Sequence, residues 1–588
     1  MNLRKFRSTL GEHPLAYMSA EFAVDERLPI YAGGLGVLAG DIVRQANTQE
    51  LPFVAVGLFY KQGYFKQRLT LTGEQKEDYP LLNISDAPIE LVATMQGDPL
   101  LVSIPVAQGE IFFQIWEYLE GDVSVYLLDT DVPQNTPEHR LITRRLYGND
   151  RANRLLQEIV LGIGGVRALM ALHIHPSIFH LNESHSALAI FEITYHYMNE
   201  YGMSFYDAYN YGRQKIVFTN HTLIPGGNEV FTCTQVTDQL STYAKQLGLP
   251  MNDMLAQGTV AGSPNDFSLT RLALNMACHT NTVSQYHSTM AKQMWPDVTM
   301  PAITNGVHLA TWVNADIKAQ APYFDTKAIT DMPEHELWRV HDMAKHRLID
   351  EIQYRTGKHL QQDHIIITWA RRFAAYKRPT MLFSDMKRLQ RLVTQTARPV
   401  QIVLAGKAHP NDATMHQAIV HINQLIKQFQ LQDQVVFVPN YSLALADVLV
   451  SGSDVWLNTP IRGQEASGTS GMKAGANGVL QCSVSDGWVV EAKLTGIGWE
   501  IPDDGAGELY DILEQQVVPL YYQRNNQGIS SDWVQRMKAT MKLVWTKFSA
   551  RRMLEEYIDI LYRPALELER KEKHEHNWRR NYRTRHIV

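Results

Sequence analysis

Apolar residues along the chain fall into blocks whose spacing predicts the secondary structure. Continuous apolar runs bounded by polar turns, such as residues 53–60 and 365–369, predict buried strands, and the alternating stretch 100–130 predicts three short strands. Residues 151–172 repeat apolar positions at helical spacing and predict a core helix. A polar, aromatic-dotted stretch over 63–79 predicts a hairpin or loop. Strands that alternate with helices indicate an α/β fold with parallel sheets covered on both faces.

The pattern restarts halfway along the chain. Residues 314–358 are charged and helical, and a second series of strands and helices follows them. At 588 residues the chain is too long for one hydrophobic core. We therefore predict a first domain over 1–330, a helical connection over 331–360, and a second domain over 361–530. The final segment, 531–588, is predicted to hold helices that return to the first domain and a basic tail.

Composition and charge exclude several classes of function. Hydrophobic residues make up 45% and charged residues 20% of the chain, which is typical of a soluble globular protein, and the net charge of −6 argues against a nucleic-acid or anionic-membrane binder. The basic N-terminus lacks the apolar core of a signal peptide, and the longest apolar segment contains Arg167. Three widely spaced cysteines fit neither a disulfide framework nor a zinc site. We expect a cytoplasmic protein with no metal, nucleic-acid or membrane partner.

One stretch, residues 464–478, combines a carboxylate, small residues and a single lysine in the sequence QEASGTSGMKAGANG. Backbone N–H groups in such a turn, leading into a helix, can bind an anion or a sugar hydroxyl. Glu465 adds an acceptor and Lys473 an amine, which could form a Schiff base if burial among small residues lowers its pKa. The alternative is an ordinary glycine-rich turn with a solvated lysine.

Basic and glycine-rich segments at other predicted turns suit phosphate groups. A turn that contains Gly33, Gly34 and Leu35 opens a helix, and its amides could approach a phosphate closely. Four cations lie within residues 371–378, directly after a buried strand, where they could hold two phosphates close together. A solvated loop is the alternative for these cations.

Polar residues also follow three further predicted strands, at the strand ends where open α/β sheets bind ligands. They lie in residues 179–186, 216–222 and 303–308, with the sequences FHLNESHS, IVFTNHT and ITNGVH. A histidine in such a position is more often structural than catalytic.

Together these segments resemble those of the α-glucan (glycogen, starch and maltodextrin) phosphorylases, of a short bacterial type. The similar motifs are the Glu-Ala-Ser-Gly-Thr-x-x-Met-Lys segment followed by Asn-Gly, the Gly-Gly-Leu-Gly loop, Leu-Asn-(Asp/Glu)-x-His, Thr-Asn-His-Thr, Thr-Asn-Gly and Arg-x-x-x-Tyr-Lys-Arg. The resemblance extends from about residue 15 to about residue 500. It implies the GT-B architecture, in which two Rossmann-like domains face a central cleft.

The resemblance also implies a reaction and a cofactor. The reaction is reversible phosphorolysis of the non-reducing end of an α-1,4-glucan or maltooligosaccharide by inorganic phosphate, which gives α-glucose 1-phosphate with retention. The cofactor is pyridoxal 5′-phosphate, held by a Schiff base to Lys473, with its phosphate as a proton relay. A homodimer is compatible with the sequence.

The resemblance assigns individual residues to roles. The catalytic residues would be Arg372 on the substrate phosphate, Lys377 on both phosphates, His185 on the sugar 6-hydroxyl, and Lys473. Cofactor contacts would come from Gly34, Arg371, Lys377, Tyr441, Thr469 and Lys473. Substrate contacts would come from Gly33, Gly34, Leu35, His185, His221, Asn305, Tyr376, Glu465, Ser467 and Gly468.

Two alternatives stay open at this point. A nucleotide-sugar-dependent GT-B glucan synthase shares the architecture but lacks a cofactor lysine in its Glu-x-x-Gly segment, so Lys473 argues against it. A non-catalytic glucan-binding relative would be expected to have lost at least one of the basic or histidine residues, and all four catalytic positions are present.

Overall fold

The computed structural model describes residues 3–148, 150–222, 228–260, 262–503 and 505–568. The described chain is an α/β protein with parallel sheets, as the sequence pattern predicts. Most of the predicted basic tail, residues 569–588, lies outside the described residues. Among the described helices, none has the length and apolar character that crossing a membrane requires.

The strands are β1 (Leu15–Met18), β2 (Phe53–Leu58), β3 (Lys66–Leu69), β4 (Gln75–Asp78), β5 (Glu90–Leu91), β6 (Val102–Val106), β7 (Gly109–Glu120), β8 (Val123–Asp129), β9 (Ile178–Asn182), β10 (Ile216–Thr219), β11 (Val230–Thr232), β12 (Thr259–Val260), β13 (Ser263–Ser268), β14 (His279–Asn281), β15 (Ile365–Ala370), β16 (Val400–Ala405), β17 (Val435–Val438), β18 (Val455–Asn458), β19 (Leu480–Val484) and β20 (Gly498–Ile501).

The helices are α1 (Leu3–Leu10), α2 (Gly34–Thr48), α3 (Arg151–Ile159), α4 (Gly165–Ala171), α5 (Ala189–Tyr201), α6 (Phe205–Arg213), α7 (Cys233–Gln246), α8 (Met251–Ala256), α9 (Leu269–Met276), α10 (Gln285–Met294), α11 (Leu309–Trp312), α12 (Ala315–Gln320), α13 (Thr326–Asp331), α14 (Glu334–Thr356), α15 (Met386–Thr394), α16 (Ala413–Gln428), α17 (Leu443–Gly452), α18 (Thr469–Ala476), α19 (Trp488–Ala492), α20 (Ala506–Ile512), α21 (Val518–Tyr522), α22 (Ser531–Lys547) and α23 (Ala550–Tyr557). A π-helical segment, Val160–Gly164, joins α3 to α4, so the helix predicted over 151–172 is confirmed.

The first large sheet contains the strands of the N-terminal half. Its parallel part has the order β8–β2–β1–β9–β10–β14, and β7 adds to β8 in the antiparallel direction, with β5 and β6 both paired to β7. In chain order the parallel strands read 3-2-1-4-5-6, the order of a doubly wound nucleotide-binding sheet. The order reverses between β1 and β9.

The second large sheet repeats this topology. Its strands run in the order β17–β16–β15–β18–β19–β20 and all pair in parallel. The chain order is again 3-2-1-4-5-6, with the reversal between β15 and β18. The strands are buried along their whole length except at Glu500 in β20, which explains their continuous apolar sequences.

The buried apolar side chains of the described residues form two clusters. One cluster contains side chains from residues 6–303 together with 550–566. The other contains side chains from 307–548, joined by Ala23 and Val37. Helix α14, which lies in the predicted connection, packs in the second cluster.

A hairpin from the N-terminal half links the two clusters. Strands β3 and β4 form the hairpin expected within residues 63–79. Two of its glutamines are buried: Gln67 donates to the Gly406 carbonyl at 2.9 Å, and Gln75 donates to the Ala408 carbonyl at 3.0 Å. The polar residues of this hairpin are therefore explained in part by hydrogen bonds to the second half of the chain, and not only by exposure to solvent.

The prediction of a strand at Ile303 is wrong. Residues 303–306 have no regular strand conformation. The Ile303 N–H donates to the Thr282 carbonyl at 2.9 Å, and a β-carbon on Gly306 would lie 2.2 Å from the Ser549 carbonyl oxygen. The apolar segment is buried between two other stretches of chain without forming a ladder.

Candidate active site

Both large sheets bring predicted site residues to their switch points, where the strand order reverses. In the first sheet, β1 leads into Glu21 and β9 leads into His185. In the second sheet, β15 leads into Arg371 and Arg372, and the chain after β18 leads to Glu465. Open parallel sheets bind ligands outside the carboxyl ends of the strands at these points.

The glycine-rich turn lies against a buried carboxylate that the sequence analysis missed. One Glu21 oxygen accepts the N–H groups of Ala32 at 2.7 Å and Gly33 at 3.2 Å, and its other oxygen accepts the Tyr147 hydroxyl. The N–H groups of Gly34 and Leu35, at the start of α2, have no acceptor among the described residues. The turn therefore presents two free amides, while that of Gly33 is engaged.

His185 is buried at the end of β9, beside a charged network. Its Nδ1 lies 3.0 Å from an Arg154 guanidinium nitrogen and 3.1 Å from a Glu158 oxygen. Burial, and then the charge of Arg154, lower the pKa of His185 to about 3. The imidazole is therefore neutral near pH 7, and α3 fixes its position.

His221 lies close to His185 but is occupied by other groups. Its Nε2 is 2.6 Å from the Asn182 side-chain oxygen, and its N–H donates to Glu183 at 2.8 Å. Glu183 has φ 71°, a left-handed conformation that is costly for a non-glycine residue, and burial raises its pKa to about 7. Asn182 and Glu183 therefore hold His221 in place beside His185.

Among the predicted substrate contacts, two buried side-chain oxygen atoms have no partner within the described residues. They are Asn305 Oδ1 and Ser467 Oγ. Buried polar atoms are normally hydrogen-bonded, so an orphaned oxygen near a candidate site suggests a ligand partner.

The basic segment after β15 forms an ion-pair cluster with the 464–478 stretch. A Glu465 oxygen lies 2.7 Å from Lys377 Nζ and 3.2 Å from Arg371 Nη1, and Arg371 also donates to Ser470 Oγ at 3.0 Å. Burial alone would raise the pKa of Glu465, but the charges of Lys377 and Arg371 lower it. Glu465 is therefore ionised and holds both cations in place.

Arg372 differs from its neighbours because its guanidinium is exposed and unpaired. Within the described ranges it makes no hydrogen bond or ion pair. The groups that act on its charge include Tyr376 from its own segment and Tyr147, Tyr64 and Glu21 from the N-terminal half. Glu21 also acts on the charge of His185, so the two switch points approach one another here.

The segment that precedes α18 is shaped by Asp486. One of its carboxylate oxygens accepts the N–H groups of Gly463, Gln464 and Glu465, at 3.0, 3.2 and 2.9 Å. Gly468 then adopts φ 85° as the residue before α18, a conformation that favours glycine. The loop is held at both ends, which fixes Glu465 and Ser467.

Lys473 is buried in α18, on the same face as Ser470 one turn earlier. Its Nζ lies 4.1 Å from the ring centroid of Trp312, and it makes no hydrogen bond or ion pair within the part of the chain described. Burial lowers the pKa of Lys473 to about 8; the charge of Asp41 opposes this effect and that of Arg44 adds to it. Roughly a tenth of the amine is therefore uncharged at pH 7, far more than for an ordinary lysine.

The remaining predicted residues lie around this cluster. Burial raises the pKa of Tyr441 to about 12, and the nearby charge of Arg371 opposes that rise. Thr469 is the first residue of α18, and Tyr376 is half-buried with its ring 4.8 Å from Lys377 Nζ. The structure thus brings the predicted residues of the second half together around Glu465 and α18.

The sequence analysis missed several residues that complete the site. They are Glu21, Asp41, Tyr147, Arg154, Glu158, Trp312 and Asp486. Asp41 could have been found from the sequence, because it places a charged residue among the apolar positions on the buried face of α2.

The fold and the site define an α/β protein in which two doubly wound sheets bring an unpaired arginine, a neutral histidine and a buried lysine to their switch points. A family model described as "Carbohydrate phosphorylase" matches residues 155–501. The chain therefore belongs to the carbohydrate phosphorylase family.

Curated relatives match nearly the whole chain. The maltodextrin phosphorylase of Thermococcus litoralis is 36% identical, over 94% of this chain and 71% of its own length. The glycogen phosphorylase of Aquifex aeolicus is 34% identical, over 95% of this chain and 87% of its own. The glycogen phosphorylase of Mycobacterium tuberculosis is 34% identical, over 94% of this chain and 71% of its own length.

Proposed function

We propose that this chain is an α-1,4-glucan phosphorylase. It transfers the terminal non-reducing glucose of a glucan or maltooligosaccharide to inorganic phosphate, reversibly and with retention, and gives α-glucose 1-phosphate. The observation that carries the proposal is the set of cations at the second switch point: an unpaired Arg372, an ion-paired Lys377 and a buried, partly uncharged Lys473. The relatives named maltodextrin and glycogen phosphorylase support it.

The architecture that accompanies this function is GT-B, with two Rossmann-like domains facing a cleft. The two apolar clusters and the repeated strand order support it. The first domain then comprises residues up to about 305 with the final helices, and the second comprises 307–548. The predicted connection, 331–360, falls within the second domain. A cytoplasmic location and a homodimer stay predictions.

Pyridoxal 5′-phosphate would bind covalently through Lys473, and the residues fit this cofactor. The Lys473 amine is buried and has no hydrogen-bond or ion-pair partner among the described residues, and its lowered pKa suits reaction with an aldehyde. Arg371 has a buried Nε without a partner among the described residues, and it would hold the cofactor phosphate together with Thr469. Tyr441 would pack near the ring. The bound cofactor supplies a phosphate that exchanges a proton with the substrate phosphate.

Inorganic phosphate would bind between Arg372 and the start of α2. Arg372 offers a guanidinium that no protein carboxylate occupies among the described residues, and the free amides of Gly34 and Leu35 add neutral donors. Lys377 contributes a second positive charge. Cations on both sides offset the repulsion between substrate and cofactor phosphates.

The glucose unit at the cleavage point would be held by polar groups from both halves. Asn305 Oδ1 and Ser467 Oγ are buried acceptors without protein partners among the described residues. Glu465 has lone pairs beyond those used by Lys377 and Arg371. The neutral His185, fixed by Arg154 and Glu158, can exchange a hydrogen bond with a sugar hydroxyl.

The chemical step follows from these positions. Phosphate gives a proton to the leaving 4-oxygen of the next glucose, the C1–O4 bond breaks, and a phosphate oxygen bonds to C1 on the same face. Arg372 and Lys377 stabilise the negative charge that faces the oxocarbenium-like sugar. Closure of the cleft excludes water, which would otherwise compete with phosphate.

The direct test measures glucose 1-phosphate released from a maltooligosaccharide, with and without inorganic phosphate, by protein as purified. Phosphate-dependent release is expected from the wild type and not from Lys473→Ala. Release from a nucleotide sugar donor into glucan instead would favour a synthase. Glucan binding without either reaction would favour a non-catalytic relative.

A further inference from the structure

Asp41 is a buried carboxylate for which the proposed reaction has no use. It lies in the third turn of α2 and is 1% exposed. The Trp312 indole N–H lies 3.0 Å from each of its oxygens, and the His308 backbone N–H lies 3.2 Å from one of them. Both neighbours are obligatory donors, so the carboxylate acts only as an acceptor, as its ionised form does.

Trp312 connects this carboxylate to Lys473. The indole N–H binds Asp41, while the face of the same ring receives the Lys473 Nζ at 4.1 Å from the centroid. Asn477, which follows α18, donates to the Trp312 carbonyl at 2.7 Å and accepts the Asn314 N–H at 2.8 Å. The indole is therefore held between the carboxylate and the lysine helix.

The other charged groups nearby compensate the charge of Asp41 only in part. Arg44 lies 3.8 Å from it but donates to the carbonyls of Ala23 and Val24, at 3.1 and 2.6 Å. The His308 ring binds Thr311, and burial lowers its pKa to about 4, so it is neutral near pH 7. Burial raises the pKa of Asp41, and the charges of Lys473 and Arg44 oppose that rise.

We propose that Asp41 is a positioning residue which, through Trp312, fixes a negative charge beside Lys473 and retains a proton on the nitrogen that joins this lysine to the cofactor. The inference rests on the proposed function, because it presupposes pyridoxal 5′-phosphate on Lys473. A buried nitrogen loses its proton unless a countercharge compensates for the lost hydration. Asp41 supplies that countercharge from a distance, without a direct ion pair.

The test is a pH titration of the absorbance of the bound cofactor in the holoenzyme. Protonated and unprotonated Schiff bases absorb at different wavelengths, so the band ratio reports the proton directly, and cofactor content is measured in the same samples. We expect Asp41→Asn to lower the midpoint of this titration by about one pH unit. At a fixed pH near the wild-type midpoint, the ratio of protonated to unprotonated form falls about tenfold.

Asp129→Asn is the matched control. Asp129 is also fully buried, accepts the Trp116 indole N–H at 3.1 Å and lies 3.4 Å from Lys61. Its replacement removes a buried carboxylate of the same kind from the same half of the chain. It is not among the groups that act on the charge of Lys473. The control should titrate as the wild type does.

Each outcome decides a separate question. A wild type without a cofactor band would overturn the proposed function itself. A wild-type band with Asp41→Asn titrating like the wild type, or with both variants shifted equally, would overturn the role of Asp41. If Asp41→Asn does not fold, Trp312→Phe takes its place: it keeps a ring face but removes the donor, so the midpoint should again fall, and an unchanged midpoint overturns the inference.

Discussion

Arg372 offers the sharpest test of the phosphate site, because its role in binding and its role in stability are separable. Its guanidinium is exposed and has no hydrogen bond or ion pair within the described ranges. Truncation to alanine therefore leaves no buried partner unsatisfied, and the free energy of unfolding should change by no more than about 0.5 kcal/mol. Truncation of an arginine with a purely structural role would instead lower the free energy of unfolding.

The catalytic cost should be much larger. If Arg372 donates to the substrate phosphate as charge develops, its loss should reduce kcat/KM for phosphate by about 10²–10³-fold, or roughly 3–4 kcal/mol. Arg372→Lys keeps the charge but loses the planar pair of donors, so its activity should fall between those of alanine and wild type. Cofactor content should stay at the wild-type level in both variants, since Lys473 and Arg371 are untouched.

The assay is steady-state phosphorolysis of a maltooligosaccharide at varied phosphate, with cofactor absorbance and the thermal unfolding midpoint measured on the same preparations. Arg391→Ala is the matched control, since Arg391 is also exposed and unpaired among the described residues but lies in α15. The reasoning is refuted if Arg372→Ala retains kcat/KM within tenfold of wild type. It is equally refuted if the activity loss is accompanied by a loss of the cofactor or of several degrees in unfolding midpoint.

Three further predictions follow from burial and pairing. Lys473→Arg keeps a cation in α18 but removes the primary amine, so the purified variant should lack cofactor absorbance and phosphorolysis; a retained chromophore would contradict the assignment. Asn305→Ala removes a buried oxygen without a partner among the described residues, so KM for maltooligosaccharide should rise about five- to tenfold without a lower unfolding midpoint; the reverse pattern would argue against a sugar contact. Burial lowers the pKa of His185 and of His221 to about 3, so below pH 6.5 the unfolded chain binds more protons than the folded chain. The stability that these two histidines contribute is fully present above pH 6.5 and should fall as pH falls from 6.5 towards 3, by up to about 1.4 kcal/mol per pH unit for each histidine. Glu183, whose pKa burial raises to about 7, opposes this loss by at most one such slope between pH 7 and about 4.5. A urea midpoint that stays constant or rises from pH 7 to 5 would be inconsistent with this.

Much of the fold could be predicted because the strands of the large parallel sheets are recognisable from their own sequences. Strands β15 and β16 are buried along their whole length, so their sequences are continuous apolar runs that need no tertiary information. The segment at Ile303 carried the same apolar signal but has no regular ladder. Burial explains the apolar residues in both cases, and only the neighbouring chain decides whether a strand forms.

The site was predictable where its residues are contiguous in sequence and follow a strand. Arg371, Arg372 and Lys377 lie in one segment, and Glu465 and Lys473 lie in another. Most contacts of their supporting residues were not predictable, because the two partners are far apart in the chain, even where one of them, such as Asp41, could be noticed as a charge on a buried helix face. Asp41 and Trp312, for example, are 271 positions apart and are brought together only by the tertiary fold. A buried aspartate and a buried tryptophan have no pattern in the sequence that links them.

Under the proposed function, the repeated strand order places the phosphate site between the two sheets and not within one. Each sheet leaves a crevice at its own switch point, and the first contributes Glu21 and His185 while the second contributes Arg372 and Glu465. Neither set is sufficient alone: the first lacks free cations for two phosphates, and the second lacks the amides at the start of α2. The charge of Glu21 acts on Arg372 and the charge of Asp41 acts on Lys473, so the two sets are coupled electrostatically. If the proposed function holds, a change in the relative position of the sheets would therefore alter phosphate binding and the protonation of Lys473 together.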